Sequence, residues 1–112
     1  MKHSIVLVPF PFDDLTGTKV RPAVCLTEEI SGYNHVIIAF ITSNTLKASE
    51  KSDLILDIKD PEFYKTGLKV TSAIRLHRLV TLPSRIILRK LGDLPSPYKS
   101  RLELKLKTLF GL

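Results

Sequence analysis

The sequence predicts a mainly β fold of the α+β class: a small, strongly bent antiparallel sheet or barrel with one helix packed across it. Three observations carry this. About six short β-rich runs follow one another, each cut off by proline, glycine or a polar cluster. Only the C-terminal segment has the apolar period of a helix. The chain has 112 residues, 44% hydrophobic and 25% charged, which fits one ordinary globular domain over 1–112 without repeat, linker or low-complexity tract.

The first run, Ile5-Val6-Leu7-Val8, meets Pro9 and Pro11, which cannot donate to a ladder, so this half belongs on an edge or outside the sheet. Residues 13–19 (DDLTGTK) are dense in turn formers and predict a mobile loop around Gly17. Arg21-Pro22 leads into a short apolar strand, Ala23 to Thr27, followed by a polar loop from Glu28 to Asn34. His35 to Thr42 is almost all apolar and β-branched, as in a strand buried on both faces. After polar residues 43–52, Leu54, Leu56 and Ile58 alternate with Asp53, Ile55 and Asp57, which predicts a strand with one buried face. A connection from Asp60 to Gly67 precedes a long alternating strand, Val70 to Leu82, turned by Pro83-Ser84. Arg85 to Leu91 reads as the last strand, ended by Gly92. In the final segment Ser96 is the expected N-cap and Pro97 the first helical residue. Tyr98, Leu102, Leu106 and Leu109 form the apolar stripe, Glu103 can pair with Lys107, and Gly111 closes the helix.

Composition excludes several classes. The longest apolar run, Val36 to Ile41, is far short of the ~20 residues of a membrane helix, and no signal peptide opens the chain. A single cysteine forms no internal disulfide, which places the chain in the cytoplasm by default. Cys25, between Val24 and Leu26, reads as a small core residue rather than a reactive thiol. His3, His35 and His77 lie too far apart for a metal motif, and no nucleotide-binding glycine pattern occurs, so neither metal nor cofactor is expected. Charge is uneven. The chain carries +6, but residues 1–64 hold six basic and nine acidic side chains (net −3), and residues 65–112 hold eleven and two (net +9). Such a basic block suits a polyanion, whether nucleic acid or an acidic protein tail; a solubilising surface would give the same count.

Four positions stand out as candidates for phosphodiester chemistry. Arg75 and His77 share a strand face, with Ala73, Leu79 and Thr81, opposite the apolar Ile74, Leu76, Val80 and Leu82. A phosphate-binding cation beside a group that titrates near neutral pH can act on a phosphodiester, although an ordinary solvated strand has the same spacing. Arg78 breaks the alternation, which predicts a bulge or strand end there. Arg21, held before Pro22 at a loop–strand junction, can clamp a phosphate. Thr42-Ser43-Asn44 ends the most apolar strand, where hydroxyls can donate to phosphate oxygens or simply cap a turn.

Together these pieces resemble the MazF/PemK family of toxin endoribonucleases, in its PemK-like branch. The resemblance runs from about Ile5 to Leu109, through IVLVPFPF (5–12), DLTGTK (14–19), VRPAVCL (20–26), FITSN (40–44), GLKVTSAIRLHRLVTL (67–82) and ILRKLGDL (87–94). It implies a small SH3-like barrel with a terminal helix, forming a homodimer. It also implies metal-independent cleavage of single-stranded RNA by 2′-hydroxyl attack, giving a 2′,3′-cyclic phosphate, growth inhibition, and control by an antitoxin whose acidic segment would suit the basic half. Carried over, the catalytic set is Arg21, Thr42, Arg75 and His77, with Lys19, Ser43, Asn44 and Arg78 as RNA contacts. His77 stands where many members have aspartate, and Lys19 where some have histidine in the first loop. A non-catalytic binder on the same fold, like the related gyrase-poisoning CcdB toxins, or a degenerate homologue that binds RNA or antitoxin, is the competing expectation.

Overall fold

The computed structural model describes residues 1–10, 19–30, 32–48 and 51–112. Six strands make one antiparallel sheet: β1 (Ser4–Phe10), β2 (Lys19–Cys25), β3 (His35–Thr42), β4 (Asp53–Leu56), β5 (Ser72–Pro83) and β6 (Arg89–Asp93). Their order across the sheet is β4-β5-β3-β2-β1-β6, and α1 (Ser96–Phe110) follows. The mainly β half-barrel with a terminal helix is thus as expected. The expected loop 13–18, with Asp13, Asp14 and Gly17, lies outside the described residues.

Alternation sends apolar residues to both sheet faces. Ile5, Val24, Ile41, Leu54, Leu56, Ile74 and Leu76 pack beneath Tyr98 and Leu102 of α1. Val6, Val8, Ala23, Cys25, Val36, Ile38, Phe40 and Leu82 form the second cluster on the opposite face, flanked by Ile86 and Ile87. Cys25 is fully buried, and burial raises its thiol pKa, so it is the inert core residue the sequence indicated.

Pro9 lies as expected, and Pro11 lies outside the described residues. β1 pairs with β2 through Phe10, but with β6 only from Ser4 to Leu7, so Pro9 lies where the described residues give β1 a single partner. The β2–β3 ladder stops at Ala23, next to Pro22.

Several boundaries differ from the sequence reading. β2 starts at Lys19 rather than Ala23 and stops at Cys25. β4 ends at Leu56, leaving Ile58 51% exposed. β5 starts at Ser72, and Arg85 lies in a 3₁₀ turn (Ser84–Ile86) ahead of β6. Gly92 lies inside β6: a Cβ there would come within 2.2 Å of the Lys65 carbonyl oxygen and 2.6 Å of that of Thr66. The glycine lets the strand press against the 3₁₀ turn Phe63–Thr66 instead of ending it. At the helix start Pro95 is the cap and Ser96 already helical, with no side-chain capping bond; Gly111 closes the helix at φ 71°. Glu103 and Lys107 pair at 3.5 Å.

Candidate active site

The bulge expected near Arg78 is present and shapes the site. Ile41 pairs with Ile74 and Ala39 with Leu79, so two steps along β3 match five along β5. The surplus falls within Arg75–Arg78 and reverses the phase of the strand. Leu79 consequently packs with Ile74 and Leu76 under the helix, while Val80 and Leu82 join the opposite cluster. This corrects the sequence assignment, which put Leu79 beside Arg75 and Val80 beside Leu76. Arg75 and His77 still share a face, and Arg78 is exposed at the slip.

Cross-strand register relates the other candidates. Thr42 pairs with Ala73, Ala73 with Ile55, and Arg75 with Asp53. The β2–β3 ladder ends at Ala23–Phe40, and strand alternation puts Arg21, two residues before Ala23, and Thr42, two after Phe40, on the same sheet face. One row therefore reads Thr42, Ala73, Ile55 across three strands, and the next same-face step along β5 is Arg75. This face lies opposite the helix, since Leu54, Ile74 and Ile41, one residue away, pack under α1.

Thr42 ends β3 and its Oγ1 accepts the Asn44 N–H at 3.1 Å. Asn44 Oδ1 in turn accepts the Leu46 N–H, capping the 3₁₀ turn Thr45–Lys47. The turn-capping role raised for these residues is therefore real. It uses the Thr42 oxygen as acceptor and leaves its O–H to donate elsewhere. Ser43 and Asn44 are exposed beside it, and Lys19 and Arg21 are exposed on β2.

One residue of the cluster was not foreseen. Asp53 opposes Arg75 across the β4–β5 ladder, with its side chain only 1% exposed. Its Oδ1 lies 3.6 Å from Arg75 Nε and 3.7 Å from His77 Nδ1. A guanidinium nitrogen of Arg75 lies 3.4 Å from His77 Nε2. Asp53, Arg75 and His77 thus form a contiguous acid–cation–imidazole group that opens to solvent at His77, whose side chain is 39% exposed. In sequence, Asp53 reads as one polar step of an alternating strand, and its only signal is adjacency to the Leu54–Leu56 run. Among the described residues no three His, Cys, Asp or Glu side chains converge as a metal ion would require.

The family model for "PemK-like, MazF-like toxin of type II toxin–antitoxin system" matches residues 2–110. The chain belongs to this family. The PemK-like fold recurs in solved structures. A Mycobacterium tuberculosis toxin, MazF-mt6, is 21% identical over 97% of each chain, with a TM-score of 0.74. An endoribonuclease from a mycobacterial species, in complex with its cognate antitoxin, is 15% identical over 100% of this chain and 95% of its own, at 0.72. A further M. tuberculosis toxin is 23% identical, covering 77% of this chain and 88% of its own, at 0.62. No curated protein sequence matches the chain. Among the described residues of this PemK-like chain, no helix is long and apolar enough to cross a membrane.

Proposed function

We propose that this PemK-like toxin is a metal-independent endoribonuclease that cuts single-stranded RNA. The observation that carries the reading is the alignment of Arg21, Thr42, Arg75 and His77 on one sheet face. RNA cleavage through its own 2′-hydroxyl needs a base for that hydroxyl, charge stabilisation at phosphorus and proton return to the 5′-oxygen. Arg21 and Arg75 neutralise the non-bridging oxygens; as guanidinium groups they stay charged and serve as stabilisers rather than acids. The Thr42 hydroxyl donates to the same phosphate. His77, the imidazole of the set, is the group that exchanges the protons. Lys19, Ser43, Asn44 and Arg78, all exposed, are the proposed contacts to flanking nucleotides. The products are a 2′,3′-cyclic phosphate and a 5′-hydroxyl.

The partners follow from the same reading: single-stranded RNA, a second copy of the chain as homodimer, and an antitoxin segment whose acidic groups compete for the cationic face. The mycobacterial endoribonuclease solved with its cognate antitoxin supports the last.

The test compares wild-type protein with Arg21→Ala on a long single-stranded RNA in excess EDTA, with product ends mapped. Discrete cuts with cyclic-phosphate ends, reduced by about 10²-fold or more in the variant, are expected. A folded wild-type chain that binds RNA and cuts none of it would replace this reading with that of a non-catalytic binder.

A further inference from the structure

Asp53 is the only charged residue among those described that is buried, at 3% exposed. An ionised carboxylate in such a place is costly unless cations or hydrogen-bond donors face it. Arg75 Nε at 3.6 Å and His77 Nδ1 at 3.7 Å are among the groups that do. Across the imidazole ring, Nε2 faces a guanidinium nitrogen of Arg75 at 3.4 Å. A guanidinium only donates, so Nε2 is the accepting nitrogen, and the ring proton of a neutral His77 belongs on Nδ1. That is the nitrogen turned toward the carboxylate. The Nε2 contact selects this tautomer, and the carboxylate, 3.7 Å from Nδ1 and so beyond hydrogen-bond distance, favours it through its charge.

We propose that Asp53 is a positioning residue: it holds His77 in the Nδ1–H form, with the Nε2 lone pair turned outward as the base for RNA cleavage. The inference rests on the ribonuclease reading above and names the device that would make His77 competent for it. As substrate enters, the phosphate draws the Arg75 guanidinium off Nε2. The lone pair then takes the proton of the 2′-hydroxyl while the O2′–P bond forms. The P–O5′ bond breaks with its electron pair on the 5′-oxygen, which takes a proton from water. The imidazolium so formed lies against the Asp53 carboxylate and afterwards returns its proton to solvent.

Nitrogen-15 NMR of histidine-labelled protein, raised in pH until the His77 ring nitrogens show the neutral pattern, reads the tautomer directly. The resonance of His77, assigned by its loss in His77→Asn, is expected to show the proton on Nδ1. Asp53→Leu removes the acceptor and should move the proton toward Nε2. The signals of His3 and His35 should stay in place and report the fold. RNA cleavage by the same variant should fall by about 10²-fold, the scale of a misdirected general base. Where the leucine variant fails to fold, the wild-type tautomer still decides. An Nε2–H imidazole in the wild-type protein overturns the proposal. So does a folded Asp53→Leu that keeps both the Nδ1–H form and full cleavage. An Nδ1–H imidazole in a wild-type chain that cuts no RNA overturns the ribonuclease reading instead, and reduces the Asp53–His77 pairing to a structural contact.

Discussion

His3 holds a backbone conformation that few side chains accept, φ 73°. Two hydrogen bonds keep it there: its N–H donates to the Cys25 carbonyl at 2.7 Å, and its own carbonyl accepts the Leu94 N–H at 2.9 Å. Partial burial, and then Lys99 and Lys2, pull its imidazole below the ordinary histidine range. Between that lowered value and the unfolded value near 6.5, the unfolded chain binds more protons, so stability is full above about pH 6.5 and declines as pH falls through the folded value. His3→Asn, which tolerates the left-handed backbone and does not titrate, should flatten this loss. The check is the urea midpoint at pH 7.5 and pH 5, where wild-type protein should lose more than the variant. At the same scale, the candidate site was legible wherever chemistry coincided with local pattern. Arg21 precedes a proline, Thr42 ends an apolar strand, and Arg75 and His77 are two apart. Asp53 was not legible, because its neighbours Arg75 and His77 stand on another strand, distant in sequence.

Elements were legible by type and less so by edge and phase. The alternation of 70–82 correctly gives a strand, but the slip at Arg75–Arg78 depends on where β3 stops matching β5. Ser96 and Pro97 resemble a cap and a first turn, yet the cap is one residue earlier, Pro95, and Ser96 is the first helical residue. Gly92 looks like a terminator by composition; its purpose shows only in the contact with the 3₁₀ turn. That seam is symmetrical. Gly67, at φ 73°, would bring a Cβ to 2.1 Å of the Leu91 carbonyl oxygen, so backbone meets backbone on both sides. β6 bulges at this point, pairing Ile5 with Gly92 and Val6 with Lys90. Neither side can retreat by rotating a side chain, and Gly92→Ala should therefore cost about 2–3 kcal/mol, measured by denaturant unfolding. The same change at exposed Gly32, where no atom lies within 4 Å of the added carbon, meets no such contact and serves as the comparison, although φ 85° strains it as well.

At the scale of the molecule, the charge asymmetry read from the sequence contributes Arg75 and Arg78 to the candidate face, while Lys19 and Arg21 come from the more acidic half. If these four cations each neutralise one phosphate, RNA affinity should fall with salt at a log–log slope of about −3, at about −0.7 per phosphate. A fourfold rise in salt then weakens binding about 50-fold, which filter binding or fluorescence anisotropy can measure. Arg78→Ala should lower the slope by about 0.7 and weaken binding evenly across RNA sequences.

The proline in β1 has a consequence of another kind. Past Leu7 that strand has β2 on one side and no described strand on the other. Such a margin is where foreign chains add themselves to a sheet. Pro9 withholds the amide that a docking strand would need, so a newcomer laid along this margin would lack a rung there. The chain thereby carries its own guard against sheet-to-sheet stacking, and Pro9→Val should be judged by whether concentrated protein remains dispersed.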